Sequence, residues 1–302
     1  MIKAKIIYFS FILIFFLFTC NTGDQSQNTE NEYLAEIMKW KENRLKKLKS
    51  PNGWLNLAGL YWLEEGVNDF GSNSENKIIF PDSAPEFIGA IIKIRDQLSI
   101  SVNDSIDVFV NDSLIKEHGI LTDADGNPTL FSSGRYNWHI IKREDKYALR
   151  LRDMESPLIN MFNKIPSFPV SEKWKVEAFF KKFDSPIPLF ITDITGSESE
   201  RMIYGKLTFR LFDKDYELLP LGDGITDDLF VMFADGTSAL ETYGGGRYLY
   251  VDKPDINGKT TIDFNKATNP PCAFTEYATC PLPPKNNILD IDIKAGEKLV
   301  DH

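Results

Sequence analysis

The stretch YALRLR, residues 147–152, decides the fold class, because its apolar residues recur at every second position. Tyr147, Leu149 and Leu151 alternate with a small residue and two arginines, Arg150 and Arg152. A period of two is typical of an antiparallel strand that buries one face only. The same alternation occurs at Ile106, Val108 and Val110, at Leu207, Phe209 and Leu211, and at Leu289, Ile291 and Ile293. Turn-forming Asn, Asp and Gly residues separate such segments, which predicts a mainly β protein.

The regions on either side of the strands suggest how the chain is divided. An amphipathic helix is predicted over residues 32–50, and the sequence SPNG then ends it. Its predicted apolar face consists of Leu34, Ile37, Met38, Leu45 and Leu48. Three prolines interrupt the strand pattern within residues 156–174. We therefore expect an N-terminal helix, a small β-sandwich over residues 51–160, and a C-terminal antiparallel β-sandwich or barrel over residues 161–302.

The first twenty residues have the proportions of a bacterial lipoprotein signal. Lys3 and Lys5 precede an apolar run that is shorter than the ~20 residues of a membrane-spanning helix. The run ends in LFTC, which resembles a lipobox, so we expect residues 1–19 to be removed and Cys20 to be lipidated. An ordinary signal peptide or a single N-terminal anchor are the alternatives.

Residues 20–31 are predicted to be a flexible tether behind this anchor. No aliphatic or aromatic side chain occurs from Asn21 to Asn31, so little apolar surface is available to offset the entropy lost on ordering. The predicted location is the bacterial cell envelope, on the periplasmic or outer-membrane face, with a lipid membrane as partner through Cys20.

The charge balance argues against one class of partner. The chain carries 34 basic and 44 acidic residues, a formal net charge of −10. Nucleic-acid binding needs a basic surface, so nucleic acid is not an expected partner. Cationic or neutral partners fit this balance better, although an acidic surface can also serve solubility alone. The expected partner is an unknown small molecule or envelope component.

Cys272 and Cys280 lie in the proline-flanked stretch NPPCAFTEYATCPLPP, residues 269–284. Their spacing is longer than the short pairs of zinc sites, and no closely spaced histidine pair accompanies them. Disulfides persist in exported proteins, so a disulfide is the favoured interpretation and free thiols are the alternative. Neither a metal nor a cofactor is predicted.

The stretch TYGGGRYLYV, residues 242–251, is a second candidate for a binding site. Three glycines allow backbone N–H groups to approach an anion, and Arg247 offers a planar fork for a carboxylate or phosphate. The alternative is a turn that enters a strand, with Arg247 paired to Asp263 or Glu241. Together with the cysteine loop, the candidate ligand-binding residues are Tyr243, Gly244, Gly245, Gly246, Arg247, Asp263, Asn265, Asn269, Glu276 and Tyr277.

Catalytic patterns are weak in this sequence, and no catalytic residue is predicted. Only three histidines are present and no G-x-S-x-G motif occurs, which disfavours a serine triad. Paired carboxylates could support a metal-independent hydrolase if they met in space, and the candidates are Asp235, Glu241, Asp263 and Glu297. A reduced Cys272 or Cys280 is a further possible nucleophile for such an enzyme. Binding or envelope maintenance through a pocket in the C-terminal domain is the leading hypothesis.

Two resemblances to known families accompany these patterns. The stretch from Glu64 to Asp112 resembles the opening of a forkhead-associated-type β-sandwich, with Ser72 in the place of the arginine that binds phosphopeptides. The resemblance therefore implies a scaffold rather than phosphothreonine recognition.

The second resemblance is to a bacterial family called domain of unknown function 1684. It is carried by GRYLYVDKP at 246–254, by IDFNKATNPPCAFTEYATCPLPPKNN at 262–287 and by AGEK at 295–298. WKENRLKKLKSPNGWLNLAGLYWLEEG at 40–66 is similar to the same family. This family implies no established activity or cofactor.

Overall fold

The computed structural model describes residues 22–300, with side chains described from residue 30 onward. The predicted signal sequence and Cys20 lie outside the described residues. The first element is helix α1, Thr22–Lys49. It begins ten residues earlier than predicted, so residues 22–31 are helical rather than a tether. Adding residues to an existing helix is less unfavourable in free energy than nucleating a new one. A polar segment can therefore extend a helix whose C-terminal part is held by packing. Within the described part, no helix is long and apolar enough to span a membrane.

The N-terminal β unit follows the helix and consists of two sheets. Its strands are β1 Leu57–Trp62, β2 Gly66–Gly71, β3 Ile78–Ile79, β4 Gly89–Ile94, β5 Gln97–Val102, β6 Val108–Val110, β7 Ser113–Ile115, β8 Glu117–Gly119, β9 Phe131–Ser133, β10 Tyr136–Arg143 and β11 Lys146–Asp153. One sheet has the order β1-β11-β10-β9-β6-β7, and the other has the order β3-β2-β4-β5-β8. All pairs are antiparallel except β2 with β3.

The two sheets share one core, so this unit is a β-sandwich. Alternate residues of β11, among them Leu149 and Leu151, are fully buried there together with residues of β4 and β5. Aromatic rings fill the centre, and the centroids of Phe70 and Trp138 lie 5.5 Å apart. The strand alternation at 147–151 and 108–110 predicted this core correctly.

The C-terminal β unit begins after helix α2, Pro157–Met161. Its strands are β12 Lys175–Thr192, β13 Glu198–Leu211, β14 Lys214–Leu218, β15 Leu229–Phe233, β16 Arg247–Val251 and β17 Lys259–Asp263. They form a four-stranded sheet of order β14-β13-β12-β17 and a two-stranded sheet of β15 and β16. Both sheets contribute to a second core that includes Leu207, Phe209, Val231, Leu249 and Phe264. The mainly β class is thus confirmed.

One predicted strand is wrong. The alternating segment Leu289–Ile293 forms no regular strand, although Leu289 and Ile293 are buried in the second core. It runs beside residues 234–236, where Leu289 N–H donates to the Ala234 carbonyl and Gly236 N–H donates to the Ile291 carbonyl. An alternating pattern indicates which side chains are buried. An irregular segment with a few backbone hydrogen bonds can bury alternate side chains as well as a regular strand does.

Strand β11 is buried on both faces, which the alternation did not predict. Ala148, Arg150 and Arg152 point away from the sandwich core, yet their exposed fractions are only 0%, 6% and 9%. Trp54 covers this face, with the Arg150 guanidinium 5.7 Å from its ring centroid. The loop closed by the two cysteines also reaches it, since Arg143 at the end of β10 donates to Thr279 Oγ1 at 3.3 Å.

Helix α1 packs on the C-terminal unit through residues at helical spacing. Tyr33 Oη lies 2.9 Å from both Asp263 carboxylate oxygens, and Arg44 Nε lies 3.0 Å from Glu297 Oε1. Ile37 and Leu48 are buried on the same side. The predicted apolar face is only partly correct, because Leu34 and Met38 are exposed and Tyr33 and Arg44 take part in docking instead.

Candidate functional site

Arg247 lies inside the C-terminal core and not at a cleft. Its side chain is fully buried, and Nη2 lies 2.6 Å from Asp235 Oδ2, which is also fully buried. Both terminal nitrogens also donate to backbone carbonyls, Nη1 to Ala295 and Nη2 to Ile293. An acidic partner was predicted correctly, but the expected partner Asp263 and the expected cleft were wrong. Burying a guanidinium requires a close counter-ion, and Asp235 on the neighbouring turn supplies it.

The three glycines before Arg247 form a turn that leads into β16. Gly246 N–H donates to the Tyr243 carbonyl, and Gly246 has φ of +81°, a conformation suited to glycine. A Cβ at Gly246 would collide with Pro283 and with the Phe233 carbonyl. Gly244 and Gly245 belong to the same turn. The glycines therefore allow close packing rather than a cradle for an anion.

Asp263 and Asn265 hold helix α1. Asn265 Nδ2 donates to Tyr33 Oη at 2.9 Å and to the Ser171 carbonyl at 2.9 Å. Its backbone N–H donates to Asp263 Oδ1 at 3.0 Å. Burial and the Asp263 carboxylate raise the pKa of the Tyr33 hydroxyl, which keeps that hydroxyl a donor at neutral pH. These two predicted site residues are consequently structural.

The acidic residues proposed for a hydrolase do not form one group. Asp235 binds Arg247, Asp263 binds Tyr33, Glu297 binds Arg44, and Glu241 pairs at the surface with Lys294 at 2.8 Å. Each carboxylate thus has its own partner. No cluster of three or more His, Cys, Asp or Glu residues that could hold a metal ion occurs among residues 22–300.

The predicted disulfide between Cys272 and Cys280 is present, with the two Cα atoms 6.1 Å apart. The residues on the outer side of its loop lie apart from Arg247. Glu276 is exposed, and Tyr277 is half-buried and lines a cavity with Leu60 and Trp62. Ala278, Thr279 and Cys280 of the same loop line a second cavity.

Removing this disulfide is expected to destabilise the protein measurably. Because the bridge closes a loop of 8 residues' separation, the Cys272→Ala, Cys280→Ala double variant should lose about 2–3 kcal/mol of unfolding free energy. In a protein of this size the melting temperature should fall by roughly 4–10 °C. Differential scanning calorimetry measures the shift, and intact mass after alkylation without reductant should show no labelled thiol at either position in the wild type. Equal melting of the two proteins would contradict the prediction.

This second cavity, which we call the arginine pocket, has a volume of about 330 Å³ and lies between the two β units. Its lining comes from helix α1, from the outer face of the N-terminal sandwich, from strands β15 and β16 and from the cysteine loop. The lining residues are Arg44, Trp54, Arg143, Arg150, Phe230, Tyr248, Tyr250, Thr268, Asn269, Pro271, Ala278, Thr279, Cys280 and Pro281. They include three arginines and no carboxylate.

Arg150 is the central cation of this pocket. It is 6% exposed, its Nε is buried without a hydrogen-bond partner, and the described residues offer its terminal nitrogens none either. Among the described residues, the guanidinium makes a cation–π contact with the Trp54 ring. Burial, together with the charges of Arg143 and Arg152, lowers the pKa of Arg150 to about 10. The guanidinium therefore stays charged at neutral pH, although burial and the neighbouring arginines disfavour the charged form.

The other two arginines already have carboxylate partners. Arg143 Nη1 lies 2.7 Å from Asp123 Oδ2, and Arg44 binds Glu297 and donates Nη2 to the Asn269 carbonyl at 3.0 Å. Burial raises the pKa of Glu297, and Arg44 and the Asn269 N–H oppose that rise. Arg150 is left as the uncompensated charge of the lining.

A second unsatisfied polar atom belongs to another residue of the same lining. Asn269 is 1% exposed, and its Oδ1 is buried without a hydrogen-bond partner, whereas Nδ2 donates to the Lys298 carbonyl at 2.7 Å. Only four such side-chain atoms occur in the described part of the chain, and two of them belong to this lining. Asn269 is thus the one predicted ligand-binding residue that lines the arginine pocket, and Cys280 of the predicted disulfide lines it as well.

Aromatic rings form the opposite wall. Phe230 packs edge-on against Tyr248 with centroids 5.0 Å apart and lies 4.9 Å from the ring of Tyr250. Tyr248 is fixed by a hydrogen bond from its hydroxyl to the Pro281 carbonyl at 2.7 Å. The pocket therefore combines a charged end with an apolar wall.

Sequence reasoning missed Arg44, Trp54, Arg143 and Arg150. The alternation of Arg150 with leucines predicts that Arg150 faces solvent, because this pattern is typical of a strand with one exposed face. The only neighbouring sequence feature that indicates burial of this face is the small apolar residue Ala148. The covering loop lies more than a hundred residues away, and no local pattern reports such a contact.

His139 lies directly across from Arg150 in the β10–β11 register. Burial, and secondarily the nearby arginines, lower the pKa of His139 to about 4. Between that value and the usual ~6.5, the unfolded chain binds a proton that the folded protein does not, so stability should fall as pH falls through this window. The loss should reach up to about 3 kcal/mol. Urea unfolding at pH 7 and pH 4.5 should show a smaller pH dependence in His139→Gln, and an unchanged dependence would contradict this.

Comparison with known proteins gives a family but no activity. Residues 160–298 match the model of a family described as a protein of unknown function, DUF1684. The predicted similarity of residues 40–66 to the same family is outside that match. None of the curated proteins compared with the chain matches it.

Three solved structures show limited similarity. An uncharacterised protein of Haloarcula marismortui is 29% identical, with a TM-score of 0.38, over 46% of this chain and 78% of that one. A forkhead-associated domain named Rv0020c is 14% identical, with a TM-score of 0.22, over 31% and 88%. The DNA polymerase III β subunit of Thermotoga maritima is 13% identical, with a TM-score of 0.13, over 74% and 63%. The family match thus shows that the C-terminal part of this chain, residues 160–298, is similar to the DUF1684 family.

Proposed function

We propose that this protein binds a small organic anion in the arginine pocket. The observation that carries the proposal is the buried side chain of Arg150, which forms no ion pair and no hydrogen bond with the described residues, although the Asp123 carboxylate lies near enough to oppose the lowering of its pKa. An isolated buried charge is unfavourable by several kcal/mol unless a partner compensates it. An anionic ligand would supply both the opposite charge and the acceptors.

The surroundings of Arg150 suit such a ligand. Arginine binds carboxylates and phosphates through two parallel N–H donors, and Arg150 donates none of its N–H groups to another described residue. Arg143 and Arg44 add positive potential, and the rings of Phe230 and Tyr248 offer an apolar surface for the body of the molecule. A volume of about 330 Å³ is at the small end of the range for small-molecule sites, roughly 300–1,000 Å³.

Isothermal titration calorimetry of the purified chain tests this proposal. The probes are benzoate, phenyl phosphate and glucuronate, with benzamide and glucose as neutral counterparts of similar shape. We expect at least one anion to bind, its neutral counterpart to bind at least tenfold more weakly, and Arg150→Met to abolish binding. A bidentate charge-assisted pair contributes on the order of 1.5–3 kcal/mol, which corresponds to a loss of about ten- to a hundredfold.

Arg201→Met is the matched control. Arg201 is an exposed residue of β13 outside the pocket lining, and its replacement removes the same charge. Anion binding that is equal in the Arg150→Met variant and the wild type would overturn the proposal, as would equal binding of charged and neutral probes.

The second part of the proposal concerns location. We retain the prediction that Cys20 is lipidated and anchors the protein in the bacterial envelope, with the arginine pocket held near the membrane surface. Its support is the apolar run that ends in LFTC at residues 17–20. Cells fed an alkyne fatty acid should label the wild type and should not label Cys20→Ala. Equal label on both proteins would exclude the anchor and leave the binding proposal untouched.

A further inference from the structure

The arginine pocket has two unsatisfied groups of opposite character, and together they restrict the ligand further. Arg150 provides unused donors with a positive charge, and Asn269 Oδ1 is an unused acceptor. Both side chains are more than nine-tenths buried and line the same cavity of about 330 Å³. A ligand that satisfies both carries an anion at one position and a hydrogen-bond donor at another.

The charges of the lining limit the anion to a single negative charge. Arg143 is already paired with Asp123, and Arg44 with Glu297, at 2.7 and 3.0 Å. Of the three lining arginines, Arg150 alone forms no ion pair with a described carboxylate. One negative charge balances it, and a dianion would bring a second charge that no free cation of the lining compensates.

The same charges decide which donor faces Asn269 Oδ1. Ammonium and hydroxyl groups both donate hydrogen bonds, but an ammonium would lie close to three guanidinium groups without a lining carboxylate. Arg44 is especially near, because it donates to the backbone carbonyl of Asn269 itself. A neutral hydroxyl is the donor that this environment favours.

We propose that the ligand is a hydroxylated organic monoanion of the acidic-sugar class, with its carboxylate on Arg150 and a hydroxyl donating to Asn269 Oδ1. This inference rests on the proposed binding function. The apolar C–H face of a sugar ring would pack on Phe230, Tyr248 and Tyr250, whose rings form the opposite wall. The size of the cavity fits one ring rather than a chain of sugars.

Competition between matched probes tests the inference on the full chain without altering the protein. Glucuronate and galacturonate carry the carboxylate and the hydroxyls, cyclohexanecarboxylate keeps the ring and the charge but lacks hydroxyls, and glucose lacks the charge. We expect at least one of the two uronates to bind at least tenfold more tightly than cyclohexanecarboxylate and than glucose. A site that holds an unpaired acceptor discriminates strongly against a ligand that leaves it unpaired.

The variant Asn269→Leu removes the acceptor and should bring the affinities for the uronate and for cyclohexanecarboxylate within about twofold of each other, by weakening the uronate. Circular dichroism checks that it folds; if it does not, the comparison of probes on the wild type decides alone. Cyclohexanecarboxylate that binds the wild type as tightly as both uronates would overturn the inference and leave the anion-binding function standing. Failure of all three carboxylates and of benzoate and phenyl phosphate would overturn both.

Discussion

Replacing Asp235 by Asn is expected to lower the free energy of unfolding by about 3–5 kcal/mol, a large part of the stability of an ordinary domain. The substitution keeps the size of the side chain but leaves Arg247 charged, fully buried and without a counter-ion. The carbonyls of Ile293 and Ala295 remain as acceptors, but they carry no net charge. Urea unfolding followed by tryptophan fluorescence measures the loss.

Two further variants identify the cause of this loss. Glu241→Gln removes a carboxylate that pairs with Lys294 and Lys298 at the surface, and should change stability far less than Asp235→Asn, because water and salt screen such pairs. The double variant Asp235→Leu, Arg247→Met replaces the buried pair by apolar side chains and should recover part of the loss. Stability of Asp235→Asn equal to that of Glu241→Gln would show that Arg247 does not depend on its carboxylate.

The architecture was largely predictable because it depends on local patterns. The period of two at Tyr147, Leu149 and Leu151 reports a buried face whatever lies on the other side of the strand. The cysteine pair was predictable because its residues are close in sequence and flanked by prolines. The start of helix α1 was not, since residues 22–31 have no apolar face of their own and depend on the helix that follows.

The candidate site was hidden because its residues come together only through long-range contacts. Arg247 and Arg150 look alike in sequence, each beside alternating apolar residues at the start or in the middle of a strand. Their different environments come from partners elsewhere in the chain. Asp235 reaches Arg247 through a turn between β15 and β16, whereas no described carboxylate forms an ion pair with Arg150, which lines a cavity together with the cysteine loop. Burial alone does not distinguish a structural arginine from a ligand-binding one, because both arginines are buried. The presence or absence of a carboxylate partner for the buried guanidinium distinguishes them.

The two arginines should therefore respond in opposite ways to substitution. Arg150→Met removes a buried cation that has no counter-ion and replaces it with an apolar chain of similar length beside Trp54. We expect the ligand-free protein to gain about 1–3 kcal/mol of unfolding stability. The exposed control Arg201→Met should stay within about 0.5 kcal/mol of the wild type.

Adding a ligand should reverse this order, because a ligand stabilises only the protein that binds it. At a free concentration of a hundred times Kd the wild type should gain about 2.7 kcal/mol, and Arg150→Met should gain nothing. Chemical unfolding of both proteins, with and without the anion that binds most tightly in the titrations, measures this reversal of the stability order. If Arg150→Met is instead less stable than Arg201→Met without ligand, the stacking of Arg150 on Trp54 outweighs its desolvation. Arg150 would then be a structural residue like Arg247, and the pocket would lose the unbalanced charge on which its proposed function rests.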